Sequence, residues 1–201
     1  MWKEAEKFLA KDKYIAPLIK KWGSPKIRSI KKALYFEDLV SAITNQQLSG
    51  KAASTIFGRA KGLCKGGISP EAIIKLSEAK LRSAGLSFAK IKYVKNLAIQ
   101  VKNSKLKIKN LDKLEDNEVV EQLIQVKGIG RWTAEMFLMF SLGRQDVFPV
   151  DDLGIKKGLR LVEPQGSERF ENKEYMKKFA ERWRPYRTAA SWYLWRSLEN
   201  R

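Results

Sequence analysis

The hydrophobic positions of this chain recur at helical spacing along most of its length. Leu39, Ile43 and Leu48, for example, are followed at similar intervals by Ala52 and Ile56. Such a period is typical of amphipathic helices, whereas the strict alternation that marks a half-buried strand is hard to find. The pattern therefore predicts an all-α protein.

Capping and turn residues divide this helical pattern into separate segments. Ser69, Ser77 and Ser87 each precede a periodic stretch and are predicted N-caps, and Asn117 is predicted to cap the helix that follows it. The proline- and glycine-containing stretch at 163–166 predicts a loop. We therefore expect short helices that are joined by tight connections.

A glycine-containing turn lies between two of the predicted helices and is the first candidate for chemistry. Its sequence is Val-Lys-Gly-Ile-Gly-Arg-Trp-Thr over 126–133, and the helix after it is predicted to end at Leu142, before Gly143. Gly128 and Gly130 let the backbone approach an anion closely, and the first N–H groups of the next helix point the same way. The segment therefore predicts a phosphate-binding hairpin.

A pair of carboxylates, Asp151 and Asp152, follows this hairpin after an apolar-rich stretch. Either aspartate can cap the helix predicted to begin at Leu153, which is a common use of the residue, while the other acts chemically. A carboxylate near a bound DNA phosphate can stabilise positive charge on the sugar. The combination of hairpin and carboxylate indicates an enzyme that acts on DNA.

The composition agrees with a nucleic-acid partner. The 201 residues include 40 Lys and Arg against 22 Asp and Glu, which gives a formal charge of +18. Such a surplus favours a polyanion, nucleic acid first and an anionic membrane second, although lysine-rich surfaces also occur in proteins of biased composition. No apolar run approaches the roughly 18 residues of a membrane span. We expect a soluble protein of the cytoplasm or nucleoid, or of the nucleus in a eukaryote.

The chain contains one cysteine, Cys64, and no histidine. This excludes an intramolecular disulfide and an all-cysteine zinc or iron–sulfur site, and it argues against transition-metal catalysis. We therefore expect no required cofactor and no iron–sulfur cluster. A free thiol at Cys64 suits a reducing compartment.

Four blocks of the sequence, taken in order, resemble the helix-hairpin-helix DNA glycosylases, and within them the 3-methyladenine DNA glycosylase II branch of alkylation repair. The blocks are Ala42–Ser49, Leu81–Tyr93, Val126–Asp152 and Glu181–Trp195. The resemblance is to the compact form without an N-terminal β domain. It implies one glycosylase unit over 1–201 with two helical lobes around a DNA-binding cleft. The helical lobe is expected at about 36–110, and the hairpin and catalytic lobe at about 111–201 together with 1–35.

The resemblance also implies that one member of the aspartate pair is catalytic. Asp152 matches when the hairpin glycines and the turn that begins at Asp146 are kept in register, whereas counting from Pro149 selects Asp151. Superfamily members that also nick the strand carry a lysine two residues after the second hairpin glycine, and here that position is Trp132. We therefore expect a monofunctional glycosylase that uses water and leaves an abasic site. Nearby lysines keep lyase activity open as an alternative.

A pocket for a base turned out of the duplex is implied as well. Trp132 and Trp195 match its walls, with Met136 and Tyr186 as neighbours. An electron-rich indole face attracts the positive charge of an alkylated purine such as 3-methyladenine or 7-methylguanine. Ordinary core positions are instead predicted for four other aromatic residues of these blocks, Phe137, Phe140, Trp183 and Trp192.

A polar insert, Gln46-Gln47-Leu48, interrupts the apolar frame of the first long helical region. It resembles the family's segment that enters the minor groove. One of these three side chains is expected to fill the gap that the extruded base leaves, because intercalating side chains stabilise a kinked duplex.

The hairpin is expected to hold the DNA backbone. Phosphate contacts are assigned to the N–H groups of Gly128 and Gly130 and to Thr133. In the resembled family the hairpin also holds a monovalent cation through backbone carbonyls. In this chain a Na⁺ or K⁺ ion would be bound by the carbonyls of Ile124, Val126 and Ile129.

The expected partner is double-stranded DNA that contains damaged bases, bound by a monomer. Three other functions remain open at the level of sequence. One is a non-enzymatic protein that keeps the hairpin for DNA binding, and the second is a glycosylase for oxidised or mispaired bases. The third is a basic RNA-binding or ribosome-associated protein.

Overall fold

The chain folds into helices, in a computed structural model that describes residues 2–199, and no strand occurs in that range. The all-α prediction is confirmed. The helices α1 to α12 are Trp2–Leu9, Ala16–Trp22, Tyr35–Asn45, Gly50–Gly62, Pro70–Lys75, Glu78–Ser83, Phe88–Lys102, Asp116–Ile124, Arg131–Met136, Leu153–Val162, Lys173–Ala180 and Arg187–Arg196. Short 3-10 helices cover Lys32–Leu34, Ile108–Lys113, Pro164–Glu171 and Glu181–Trp183, and a π-helical turn covers Phe137–Leu142.

These helices form two compact units. The hairpin unit is Ile30–Phe137, and the aspartate unit comprises the described residues of Met1–Ser29 and Leu138–Arg201. The division after residue 137 differs from the expected boundary near residue 111, since α8 and α9 group with α3 to α7. The reason is local contact: the turn between α8 and α9 packs on α7, where Tyr93 lies against Gly128.

The hairpin unit is built around α7. Helices α5 and α6 pack on α7, α3 packs on both α4 and α7, and α8 packs on α9. The apolar stripes of these helices meet in a core that includes Leu39, Ile43, Ile73, Val94 and Leu97, all of them at most 1% exposed. Burial of each such side chain contributes about 1.5–3 kcal/mol, which fixes the frame that carries the hairpin.

Side-chain caps set the starts of several helices in this unit. Ser69, Ser77 and Ser87 accept hydrogen bonds from the backbone N–H three residues ahead, as predicted. The prediction for Asn117 is wrong, because α8 begins earlier and Glu115 is its N-cap. The Glu115 N–H donates to the Glu118 carboxylate at 2.9 Å in a reciprocal capping box.

The aspartate unit has an aromatic core. Phe170, Trp183 and Tyr193 are fully buried. Helix α10 packs closely on α12 because Gly158 faces it: a Cβ at this position would lie 2.6 Å from the Leu194 carbonyl oxygen. The core positions predicted for Trp183 and Trp192 are confirmed, at 0% and 8% exposure.

Two details of the helix prediction differ from the structure. The stretch at 163–166 is not a loop, since the 3-10 helix Pro164–Glu171 begins there with a proline in its first turn. The helix predicted from 131 to 142 changes to π geometry at Phe137, which is buried as predicted. Within the described part of the chain, no helix is both long and apolar enough to be a membrane span.

Candidate active site

The predicted hairpin joins α8 to α9 in the hairpin unit. After α8 the chain turns tightly, with the Val126 N–H bonded to the Leu123 carbonyl and the Ile129 N–H bonded to the Val126 carbonyl, both at 3.0 Å. Gly130 is then the N-cap of α9. The first backbone N–H groups of α9 have no intrahelical acceptor and carry the positive end of the helix dipole, so the turn offers donors to an anion.

The two hairpin glycines differ in what they provide. Gly128 has a φ of +89°, and a Cβ there would lie 2.3 Å from Cδ2 of Tyr93, so both conformation and space require glycine. Gly130 has an ordinary φ of −92°, and a Cβ on it would meet no atom within 4 Å. A side chain at Gly130 would therefore not collide with the protein. Its absence instead leaves the backbone at the start of α9 accessible to a ligand.

Helix α9 presents two of the predicted pocket residues. Trp132 is 44% exposed, and the half-buried Met136 follows four residues later on the same face of the helix. Thr133, which was expected to contact phosphate, is only 5% exposed. A phosphate contact through the Thr133 hydroxyl is therefore not favoured, and the exposed backbone at Gly130 is the better candidate.

The polar insert forms the connection between α3 and α4. Gln46 is the C-cap of α3, Gln47 has a left-handed φ of +56°, and Leu48 is 37% exposed. The three side chains are not equivalent, because Gln46 Nε2 donates to the Gly128 carbonyl at 2.8 Å. Gln46 is thus bonded to the hairpin, and only Gln47 and Leu48 remain as exposed candidates for intercalation.

A lysine of α7 holds the same connection. Lys90 Nζ donates to the Thr44 carbonyl at 2.7 Å and to the Gln46 carbonyl at 2.6 Å. These oxygens lie at the C-terminal end of α3, where carbonyls lack intrahelical donors and a cation is favourable. Burial lowers the pKa of the Lys90 ammonium. Gln46, Lys90, Tyr93 and Gly128 all line one groove of about 470 Å³.

The aspartate pair lies in the aspartate unit, on the connection from the π-helical turn to α10. The connection is anchored on α12, where Arg187 Nε donates to Oδ1 of Asp146 at 2.6 Å. The Thr188 hydroxyl donates to the Arg144 carbonyl at 2.7 Å and accepts the Val147 N–H at 3.0 Å. Arg187 and Thr188 were not predicted as functional residues, and their contacts hold the segment that leads to the carboxylates.

The two aspartates have different surroundings. Asp151 is exposed and forms an ion pair with Lys173. Asp152 is half-buried, and its Oδ1 accepts two hydrogen bonds at 2.8 Å, one from the Ile155 N–H and one from the indole N–H of Trp195. The sequence predicts that one aspartate caps the helix and the other is catalytic. In the structure both features fall on Asp152, which caps α10 and also contacts the predicted pocket residue Trp195.

Gly154 makes this contact possible. A Cβ on Gly154 would lie 2.8 Å from Cδ1 of Trp195 and 2.9 Å from Oδ1 of Asp152. The Trp195 ring also packs on Phe140, with 6.0 Å between the ring centroids. Phe140, predicted to be ordinary core, is half-buried and supports the indole that contacts the carboxylate.

Tyr186, another predicted pocket residue, is half-buried and packs edge-on against Phe8, with ring centroids 5.5 Å apart. The structure therefore brings Trp195 to Asp152 in one unit and places Trp132 and Met136 on one face in the other.

Among residues 2–199, no group of three or more His, Cys, Asp and Glu side chains is placed to hold a metal ion.

Comparison with known proteins assigns this arrangement to a family. Residues 40–185 match the HhH-GPD superfamily of base excision DNA repair proteins. The chain belongs to this superfamily. The matched range contains the hairpin, the aspartate pair and the Gln46–Leu48 insert, whereas Trp195 lies beyond it.

Several relatives of this HhH-GPD chain are named DNA-3-methyladenine glycosylases. It is 40% identical over 173 residues to DNA-3-methyladenine glycosylase 1 of Schizosaccharomyces pombe, covering 85% of this chain and 75% of that protein. The crystal structure of DNA-3-methyladenine glycosidase from Bacillus halodurans is similar with a TM-score of 0.84 and 36% identity, covering 98% of this chain and 89% of that one. A Schizosaccharomyces pombe 3-methyladenine DNA glycosylase in complex with abasic DNA is similar with a TM-score of 0.80, 37% identity and 96% coverage of both chains.

Proposed function

We propose that this protein is a DNA glycosylase of base excision repair that hydrolyses the N-glycosidic bond of alkylated purines in double-stranded DNA. The observation that carries the proposal is the Asp152 carboxylate, which two N–H donors at 2.8 Å hold in one orientation beside an indole ring. The glycosylase names of the relatives support the same reaction.

The chemistry assigned to Asp152 is electrostatic. As the bond between C1′ and the base nitrogen breaks, its electron pair leaves with the base, and the sugar gains oxocarbenium character. An ionised carboxylate stabilises that charge and accepts a proton from the water that attacks C1′. The products are the free base and an abasic site in an intact strand. A cationic alkylated purine leaves as a neutral molecule and needs no strong acid, in agreement with a chain that has no histidine.

Recognition of the base is assigned to the indoles. A positively charged purine gains about 0.5–2 kcal/mol over an electron-rich ring face, and an unmodified neutral purine does not gain this term. Trp195, which is fixed against Asp152 and Phe140, is one such ring. Trp132, which is exposed at the start of α9, is the second ring that the proposal assigns to the base.

The proposal includes water rather than lysine as the nucleophile. Trp132 stands two residues after Gly130, where strand-nicking relatives have a lysine, and Lys156 is engaged in an ion pair with Glu171. Lys127 is exposed in the turn and is the alternative nucleophile. A covalent adduct trapped with borohydride on abasic DNA, lost in Lys127→Ala, would establish lyase activity instead.

The proposal also includes a monovalent cation at the hairpin, a monomeric state, and a location in the cytoplasm or nucleoid, or in the nucleus of a eukaryote. Of the three carbonyls assigned to the cation, that of Val126 already accepts the Ile129 N–H and keeps one further lone pair. Backbone oxygens at a helix end suit Na⁺ or K⁺, because hard cations prefer oxygen ligands. Such an ion would add positive charge next to a bound phosphate.

The test is mass-spectrometric identification of the bases that the purified protein frees from duplex DNA treated with a methylating agent. We expect 3-methyladenine and 7-methylguanine from the wild type and neither from Asp152→Asn. Asparagine is as good an N-cap as aspartate, so this variant keeps the start of α10 and loses the charge.

Asp151→Asn is the matched control and should release bases at the wild-type rate, since its carboxylate pairs with Lys173 at the surface. Loss in Asp151→Asn with full activity in Asp152→Asn would move the catalytic role to Asp151. A wild-type protein that binds methylated DNA and frees no base would be a binding protein rather than an enzyme.

A further inference from the structure

Three residues on one face of α7 contact the two segments that are assigned to DNA. Lys90, Tyr93 and Asn96 are spaced by three residues and therefore lie along one stripe of the helix. Lys90 bonds the end of α3, Tyr93 lies under Gly128, and Asn96 Oδ1 accepts the Lys127 N–H at 3.2 Å. Helix α7 is thus a common support for the Gln47–Leu48 connection and for the hairpin.

The Lys90 ammonium is placed by the start of its own helix. Ser87 is the N-cap of α7, and its hydroxyl accepts the Lys90 N–H at 3.3 Å, so Lys90 occupies the third helical position. From there Nζ reaches the carbonyls of Thr44 and Gln46. A half-buried ammonium with two carbonyl partners fixes the last turn of α3 more firmly than a solvated lysine would.

Gln46 is hydrogen-bonded through both its backbone carbonyl and its side-chain amide. Its carbonyl accepts a hydrogen bond from Lys90 Nζ, and its side-chain amide donates to the carbonyl of Gly128, a position where Tyr93 leaves no room for a Cβ. The next residue, Gln47, lies in the turn after α3 with a positive φ and is exposed. The position of the exposed Gln47 and Leu48 side chains relative to the hairpin therefore depends on Lys90 and Gln46.

We propose that Lys90 and Gln46 are positioning residues that hold the Gln47–Leu48 connection at a fixed place relative to the phosphate-binding hairpin, so that phosphate binding drives base extrusion. The proposal rests on the glycosylase function above and assigns to Gln46 a role other than intercalation. An enzyme that removes a base from the stack must spend binding energy on unstacking. Binding energy from the phosphate contacts can drive unstacking only when the phosphate-binding hairpin and the intercalating side chain are held rigidly relative to each other.

The experiment compares Lys90→Met with Lys90→Arg on two 7-methylguanine substrates. In one duplex the lesion pairs with cytosine, and in the other it faces an abasic-site analogue, so that it is less firmly stacked. In Lys90→Met we expect the single-turnover release rate to fall at least tenfold for the paired lesion and less than threefold for the unpaired one. Lys90→Arg keeps charge and donors and should restore the paired rate to within about threefold of wild type.

Lys95→Met is the matched control for loss of a carbonyl-bonding lysine on the same helix. Lys95 Nζ donates to the Leu76 carbonyl at 2.7 Å, after the end of α5, and is bonded neither to the hairpin nor to α3. After correction for the folded fraction, this variant should keep the wild-type ratio between the release rates on the two substrates. Equal losses on both substrates in Lys90→Met would overturn the proposal, since a merely structural defect does not depend on the pairing of the lesion.

Gln46→Ala is the second variant, and it keeps the proposal testable if Lys90→Met does not fold. It removes only the bond to Gly128, and we expect the same preference for the unpaired lesion with a smaller loss. Wild-type release from the paired lesion by Gln46→Ala would contradict its assigned role.

A fluorescence readout separates this proposal from the proposed function. 2-Aminopurine beside an abasic-site analogue brightens when the protein unstacks it, and this signal requires no chemistry. At saturating protein, we expect brightening with wild type and with Lys95→Met, and a loss of at least half the signal with Lys90→Met and Gln46→Ala. If wild type brightens the probe but releases no base, the enzymatic function fails while the positioning roles stand. If all four proteins brighten it equally, the positioning roles fail.

Discussion

The indole N–H of Trp195 and the backbone N–H of Ile155 donate to the same oxygen of Asp152, each at 2.8 Å. One donor comes from α12 and the other from the first turn of α10, the helix that Asp152 caps. The carboxylate is therefore fixed by tertiary as well as local contacts. Its charge also lies at the N-terminus of α10, where the helix dipole stabilises an ionised group.

This relationship predicts that Trp195→Phe will lower the rate of base release by a factor of about 10 to 100, with little change in DNA affinity. The phenylalanine ring keeps most of the aromatic surface, whereas the hydrogen bond to a charged group, worth about 1.5–3 kcal/mol, is lost. Single-turnover kinetics and equilibrium DNA binding measure the two effects separately. Trp192→Phe, on the same helix, is the matched control and should retain the wild-type rate. A large loss of affinity in Trp195→Phe would instead assign the ring to binding alone.

A second prediction concerns Gly154, because no side chain fits beside the indole. In Gly154→Ala the new Cβ would be 2.8 Å from Trp195 Cδ1, so the ring must move away from Asp152. We expect a loss of activity at least as large as that of Trp195→Phe, together with a change in tryptophan fluorescence. Gly58→Ala is the control, since a Cβ there meets no atom within 4 Å and alanine favours a helix. Normal activity in Gly154→Ala would show that the indole position is not important.

The sequence predicts interactions between residues that are close in the chain better than interactions between residues that are far apart. The serine caps and the helical periodicity are local, and they predict Ser69, Ser77 and Ser87 correctly. The contact between Asp152 and Trp195 joins residues 43 positions apart, so periodicity contains no signal for it. A signal did exist at Gly154, where a glycine inside the first turn of a helix indicates a close approach.

The Gln46-Gln47-Leu48 insert is a second case in which the sequence alone does not assign the roles of individual residues. Gln46 and Gln47 are adjacent and chemically identical, and the sequence alone gives no reason to assign them different roles. In the structure Gln46 is bonded to the Gly128 carbonyl, whereas Gln47 adopts a positive φ and is exposed. The two glutamines therefore differ in availability, since the Gln46 side chain is bonded to the hairpin and the Gln47 side chain is exposed.

The hairpin glycines give a third prediction. Gly130→Ala should leave the melting temperature within a few degrees of wild type, because its Cβ meets nothing within 4 Å, and should still weaken duplex DNA binding at least tenfold. Gly128→Ala should lower both the melting temperature and the affinity, since the substitution collides with Tyr93 at a positive φ. Thermal denaturation and DNA binding at fixed salt measure both. Unchanged affinity in Gly130→Ala would mean that no phosphate approaches the start of α9.

The last prediction concerns the salt dependence of DNA binding. A second groove of about 680 Å³ lies beside the hairpin, and Lys92, Lys127 and Asn96 are among the residues that line it. The two exposed lysines can each neutralise one phosphate and release its condensed counterions. Lys92→Ala and Lys127→Ala should each reduce the slope of log affinity against log salt by about one, equally for damaged and undamaged duplexes. Lys65→Ala, in the connection between α4 and α5 of the same unit, is the matched control. If the slope is the same in all three variants as in wild type, the DNA does not follow this groove.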